Sequence, residues 1–273
     1  MLWYASNVKE RIRLMKKFTT LFLITFLLPS AVQAFSVQHD FFITIGAFDA
    51  SITKFTYSLN QTDYQITSDV TTNGFFDSIY PFQAKYHTSG KITTSQMKTS
   101  AYGYESKSRF NTRSKQVFFN QNGEPLYQIS SKNDKTKKRE FKPSPTPADT
   151  FDLQTIFAKI ALQYNTVGFC DSRLAVYDGK RRFDVIFKDV GTEELTQNEH
   201  SFYAGKANKC TMHIDKLLSE DDDTLWEFSA NKPIYFWIAR DTETNYPFIA
   251  HIQIKDTPLG ELNAYTTKIS IKE

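Results

Sequence analysis

The sequence predicts a mainly β fold: one large, strongly curled antiparallel sheet with a single amphipathic helix laid against its concave face. Three observations carry that expectation. Apolar and polar residues alternate with period two through most of the chain after residue 35, as in half-buried strands. Aromatic residues make up 15% of the 273 residues, with 24 Phe and 14 Tyr, and such side chains pack well on a pleated surface. Only the stretch DTFDLQTIFAKIALQY, residues 149–164, repeats its apolar positions with helical spacing, and a lone amphipathic helix must bury that face on a sheet.

The N-terminal segment stands apart from the fold. Residues 15–34, MKKFTTLFLITFLLPSAVQA, carry Lys16 and Lys17, an apolar run from Leu21 to Leu28, then Pro29, with Val32 and Ala34 placed for signal-peptidase cleavage. The run is shorter than the roughly 20 residues needed to span a bilayer. The expectation is a signal peptide over 1–34, with residues 1–14 an extension ahead of a better start at Met15. Cleavage near Ala34 would release a single domain, 35–273, into the periplasm, with no transmembrane segment in the mature chain.

From residue 40, DFFITIGAFDASITKFTYSL reads as two strands broken near Gly46. TDYQITSDVTT puts Tyr64, Ile66, Ser68 and Val70 on one face. Asn73-Gly74 marks a turn and Pro81 a break before the next strand through Phe82, Ala84 and Tyr86. The meander continues to Asn122-Gly123, a dipeptide suited to a type I′ hairpin. Residues 131–148 are charged and then Pro-rich, and predict an exposed linker. The helix follows, capped by Asp149 or Thr150, with Leu153, Ile156, Phe157, Ile160, Ala161 and Tyr164 on its apolar face. RLAVYD and KRRFDVIFKDV then flank Asp178-Gly179, a tight hairpin signal, and four further strands complete the chain.

Function is less legible. A net charge of +3 provides no concentrated basic face for nucleic acid. Two cysteines, Cys170 and Cys210, in an exported chain are expected to pair; the loop between them is worth roughly 4 kcal/mol in the chain-entropy model. Neither cysteine sits in a metal-binding spacing, so no metal and no cofactor is expected. His39, His87, His200, His213 and His251 are scattered singly, and no nucleophile elbow or zinc motif is present, so no catalytic residue is assigned. The cations Lys180, Arg181 and Arg182 read as the solvated side of a hairpin or as an anion grip; alternation puts Arg181 with Phe183, Val185 and Phe187, and Arg182 with Asp184 on the opposite face. One of the two arginines is expected to be held by a carboxylate or by carbonyls. Trp226, Phe236 and Trp237 are candidates for an apolar groove on the sheet.

Several stretches together resemble one family. The order of the leader, IGAFDASITKFTYSL, TNGFFDSIYPFQAKYHTSGKI and VYDGKRRFDVIF is similar to that in a proteobacterial envelope family labelled domain of unknown function 3108. The resemblance covers nearly the whole mature chain. It implies an all-β half-barrel or spiral in the style of periplasmic lipoprotein carriers, and no activity. It also singles out Tyr177, Asp178, Gly179, Lys180, Arg181, Arg182 and Asp184, without assigning them to fold or ligand. Together these readings favour a non-catalytic envelope protein that binds a lipid, lipoprotein or other envelope component and supports envelope integrity. The competing readings are a hydrolase of envelope polymers and a structural partner of another envelope protein.

Overall fold

The computed structural model describes residues 35–93, 96–141, 150–177, 182–218 and 232–272, of which residues 216–218 are described by backbone alone. Residues from Ala34 onward form one unit. Eight strands precede the main helix: β1 (Phe35–Ile45), β2 (Phe48–Leu59), β3 (Asp63–Thr72), β4 (Phe82–Ile92), β5 (Met97–Ser108), β6 (Thr112–Phe119), β7 (Pro125–Lys132) and β8 (Lys135–Glu140). A short helix α1 (Gly74–Ile79) joins β3 to β4. After α2 (Leu153–Val167) come β9 (Ser172–Tyr177), β10 (Arg182–Leu195), β11 (Gly205–Leu218), β12 (Ile234–Arg240), β13 (Pro247–Thr257) and β14 (Gly260–Lys272).

All fourteen strands belong to one antiparallel sheet, ordered β8-β7-β6-β5-β4-β3-β2-β1-β14-β13-β12-β11-β10-β9. It is a meander whose first and last strands pair at the centre, Val37 opposite Ile271 and Phe42 opposite Tyr265. Its two edges therefore come from the middle of the chain. The edges approach each other without pairing. Phe151 forms a parallel bridge to Val176 on edge strand β9, and Tyr177 packs edge-on against Phe119 and Phe141 from the other flank, at 6.4 and 5.8 Å. The sheet is thus a curl that stays open, with aromatic rings in its seam.

Alternation decides what faces inward. On β3, Tyr64, Ile66 and Ser68 are buried while Gln65 and Asp69 are exposed, as period two requires. Helix α2 lies in the concavity, touching β3, β4, β9 and β13. Its cap is Asp152, not the Asp149 or Thr150 expected from sequence: the Asp152 side chain accepts from the backbone of Gln154 and Thr155. Thr150 is used earlier, donating to the carbonyl of Gly123 at 2.9 Å. Gly168, at φ 77°, ends the helix in the left-handed conformation that glycine adopts without steric cost.

Two connections differ from the sequence reading. Residues 135–140, expected to be linker, form β8, although every residue of it is exposed. The hairpin signal lay inside the charged run: Asn133 and Asp134, at φ 47° and 66°, form the two-residue turn that pairs Lys132 with Lys135, the geometry a primed turn needs. Lysines on such an edge discourage further strand pairing. Asn122-Gly123 is not a primed turn, because only Gly123 has positive φ. Its five-residue loop is held by the Asn120 side chain, which accepts from Asn122 and Glu124. The remainder of the expected linker, 142–148, lies outside the described residues.

Candidate functional site

The concave face carries two adjoining constructions: a buried polar network at the start of α2 and an apolar cavity beside it. In the network, Asp152 is fully buried. Its Oδ1 accepts from Thr88 Oγ1 at 2.7 Å, Gln154 N at 2.9 Å and Thr155 N at 3.2 Å. Its Oδ2 accepts from Thr99 Oγ1 at 2.9 Å and from the Thr155 hydroxyl. With both threonine protons committed to the carboxylate, the Tyr64 hydroxyl, 3.1 and 3.2 Å from Thr99 and Thr155, donates its single proton to one of them. Burial, reinforced by the Asp152 charge, raises the Tyr64 pKa. Gln154 Nε2 donates to Thr88 at 3.0 Å, and Ser68 donates to Gln154 Oε1 at 2.7 Å. The network pins the helix to β3, β4 and β5 through charge-assisted bonds, the stronger kind.

The cavity holds about 300 Å³ between α2 and the sheet. Its walls are Phe41 and Ile43 of β1, Phe55 and Tyr57 of β2, Ile249 and Ile252 of β13, and Leu153 and Phe157 of α2. Ser68 and Gln154 line it too, so the polar network forms part of its border. That volume sits at the lower end of the roughly 300–1,000 Å³ usual for small-molecule pockets, which are mostly apolar with few polar groups.

His39 is the unusual member of this wall. It is 4% exposed, and its Nε2 has no hydrogen-bond partner among the described residues. Its ring stacks on Phe41 at 5.8 Å and meets Phe55, Tyr57 and Phe248 at 6.4 Å each. Burial holds its pKa down to about 4, so the imidazole is neutral at neutral pH. A buried polar atom without a partner costs free energy, and this one stands in a mostly apolar stretch of the wall.

The residues singled out by sequence fall elsewhere. Phe236 points inward but is core, edge-on to Phe187 at 5.7 Å; it does not line the cavity. Trp237 lies on the opposite face, as alternation demands. There it stacks on His251 at 4.6 Å, and His251 stacks on Tyr265 at 4.6 Å. His251 Nε2 lies 2.8 Å from Asn263 Oδ1. The expected groove built from Phe236 and Trp237 is therefore not formed, and Trp226 lies outside the described residues. His200 stacks on Phe42 at 4.4 Å on the same outer row.

The basic triplet is only partly described, since residues 178–181 lie outside. Arg182 is 8% exposed beside the fully buried Phe183, although alternation puts the two on opposite faces of the strand. Opposite this step β11 carries an extra residue, Arg182 pairing with Leu218 and Phe183 with Lys216. Burial lowers the Arg182 pKa against the pull of Asp184, and its Nη1 has no partner among the described residues. Asp184 is instead gripped by Arg173, at 2.6 Å from Nε, which also reaches Asp215 at 2.9 Å. Because Asp184 and Asp215 face each other across β10 and β11, Arg173 neutralises a like-charge pair. Tyr177 packs in the seam. Cys170 and Cys210 are bonded, with Cα atoms 6.4 Å apart, within the usual span, and Asp189 Oδ2 lies 3.7 Å from Cys170 Sγ.

An open, curled antiparallel sheet cradling one helix and an apolar cavity defines the class of protein. Within it, the chain belongs to the family described as protein of unknown function (DUF3108), whose model matches residues 32–265. No curated protein matches the sequence. Among solved structures, it is similar to a β-barrel-like protein of domain of unknown function DUF1849 from Brucella abortus, at 7% identity and a TM-score of 0.45, over 89% of this chain and 99% of that one.

Proposed function

We propose that this is an exported, non-catalytic envelope protein that holds a lipid-like molecule in the cavity between α2 and the sheet. The observation that supports the reading is the cavity itself: about 300 Å³, lined mostly by Phe, Ile, Leu, Val, Ala and Tyr side chains, with the His39 imidazole in its wall, its Nε2 unpartnered among the described residues. Fully committed polar groups at Asp152 hold the helix that forms one wall, so the cavity has a fixed shape before any ligand arrives, which lowers the ordering cost of binding. The leader at residues 15–34 supplies the address, and N-terminal sequencing of periplasmic protein should begin at Phe35.

The test is calorimetric titration of delipidated protein with phospholipids and acylated peptides, which should saturate. Ala264, buried in the cavity wall, is the place to block it. Ala264→Leu should weaken binding by about tenfold or more through lost volume, while the protein stays folded. An absence of saturable binding by the unaltered protein sinks the reading.

A further inference from the structure

A second pocket adjoins the apolar cavity. It holds about 240 Å³ and is lined by Tyr80, Phe82, Tyr86, Tyr104, Ser106, Ser108, Asn111 and Arg113. Tyr86 lines both pockets, with Tyr104 beside it at 5.7 Å between ring centroids. The strand register explains the sequence of chemistry along the face. On β4, Thr88 belongs to the network, and Tyr86, two residues on, faces the same way, opposite Tyr104 of β5. Ser106 follows two residues after Tyr104 and lies opposite Arg113 of β6. The concave face thus passes from network to hydrocarbon, then to two phenols, then to a guanidinium.

The groups in this second pocket have capacity to spare. Arg113 makes no ion pair with another described residue, and the Tyr86 and Tyr104 hydroxyls bond to no described residue. Arg is always charged and a phenol O–H is a donor; burial, then Tyr104, raises the Tyr86 pKa. The hydrocarbon cavity offers a place for an alkyl chain; the adjoining pocket offers donors and a positive charge, with no carboxylate among its lining residues.

We infer that the ligand is an amphipathic lipid with an anionic head group, its chain in the His39 cavity and its carboxylate or phosphate on Arg113, Tyr86 and Tyr104. This rests on the apolar-ligand reading above and specifies the substrate class of that site. Arginine suits the task because its planar fork of donors matches carboxylate and phosphate oxygens. The aromatic pair supplies both a neutral donor and an apolar flank where chain gives way to head.

Calorimetric titration of the delipidated full chain with laurate, 1-dodecanol and dodecyltrimethylammonium, which share one chain length, separates head from tail. Laurate is expected to bind ten- to a hundredfold more tightly than dodecanol, the range a charge-assisted bond supports, and the cation more weakly than either. Arg113→Gln, at an exposed position, should remove the laurate advantage and leave dodecanol affinity unchanged. Lauroyl lysophosphatidylglycerol distinguishes phosphate from carboxylate: if it outbinds laurate and is equally sensitive to Arg113→Gln, the head group is a phosphodiester, and if laurate wins it is a carboxylate. Equal affinity for laurate and dodecanol, or a laurate advantage that survives Arg113→Gln, overturns the head-group assignment while leaving the apolar cavity standing. Failure of all four ligands overturns both.

Discussion

The polar network at Asp152 and the cavity at His39 share walls, yet they treat buried polarity in opposite ways. Around Asp152 every donor finds an acceptor: two threonine hydroxyls, two backbone amides and a third threonine hydroxyl converge on one carboxylate. At His39 a ring nitrogen is buried with no partner among the described residues. The first arrangement gains stability because a satisfied buried network also fixes geometry. The second gives stability away, because a buried polar atom without a partner costs free energy. One region fixes the helix on the sheet; the other borders an apolar space beside it.

The largest effect should come from breaking the network. Asp152→Ala removes the cap of α2 and orphans three buried hydroxyls, and should cost about 3–5 kcal/mol by urea denaturation. Asp152→Asn keeps the cap acceptor but turns an amide toward Thr99 and Thr155, and should fall between. Equal stability of Asp152→Ala and the parent would show that the helix is held by its apolar face alone.

The disulfide ranks next. Its bond joins the segment after α2 to β11 across a separation of 40 residues, for which the chain-entropy model gives roughly 4 kcal/mol at 25 °C as a ceiling. Paired Cys170→Ala and Cys210→Ala substitutions should lower the urea midpoint accordingly, whereas adding reductant to the native protein should act slowly because both sulfurs are buried.

His39 sharpens the comparison through pH. Its pKa is about 4 folded against 6.5 for an unburied His, so the unfolded chain binds the proton more readily. Stability is therefore fully present above pH 6.5 and is lost as pH falls toward 4, by about 3 kcal/mol at 1.36 kcal/mol per unit. His39→Phe should flatten that slope between pH 6.5 and 4. An unchanged slope would place the acid sensitivity elsewhere.

Much of this cradle could be read from sequence, but its site could not. The alternation at Tyr64, Ile66 and Ser68, the apolar face of α2 and the pairing of Cys170 with Cys210 are local or two-body facts, and each is visible in spacing or in there being two cysteines to pair. The single curled sheet followed from having one helix and too few later strands for a second domain. The cavity is different. Ala264 of β14 reaches His39 and Phe55 only because β1 pairs with β14 at the centre of the sheet, a closure that no stretch of sequence displays. Trp237 drew attention by its size, although its neighbour Phe236 necessarily faces the other way. The β8 hairpin was missed because a dense charge run hid Asn133-Asp134, a dipeptide tolerant of positive φ.

The smallest effect tests the border itself. Ser68 lines the cavity and also donates to Gln154 Oε1 at 2.7 Å, so it belongs to both regions. Ser68→Ala should cost about 1 kcal/mol, the net value of one hydrogen bond, because Gln154 Nε2 still donates to Thr88 and keeps the amide in place. The freed Oε1 then faces the cavity as an acceptor. A ligand bearing a donor along its chain, such as a hydroxylated fatty acid, should gain affinity relative to plain laurate in this variant, by a few-fold. If Ser68→Ala shifts stability alone and leaves that ratio unchanged, Gln154 has swung into the network and the two regions are sealed from each other. If it shifts the ratio, the network is the part of the wall that sets how polar a guest the cavity accepts.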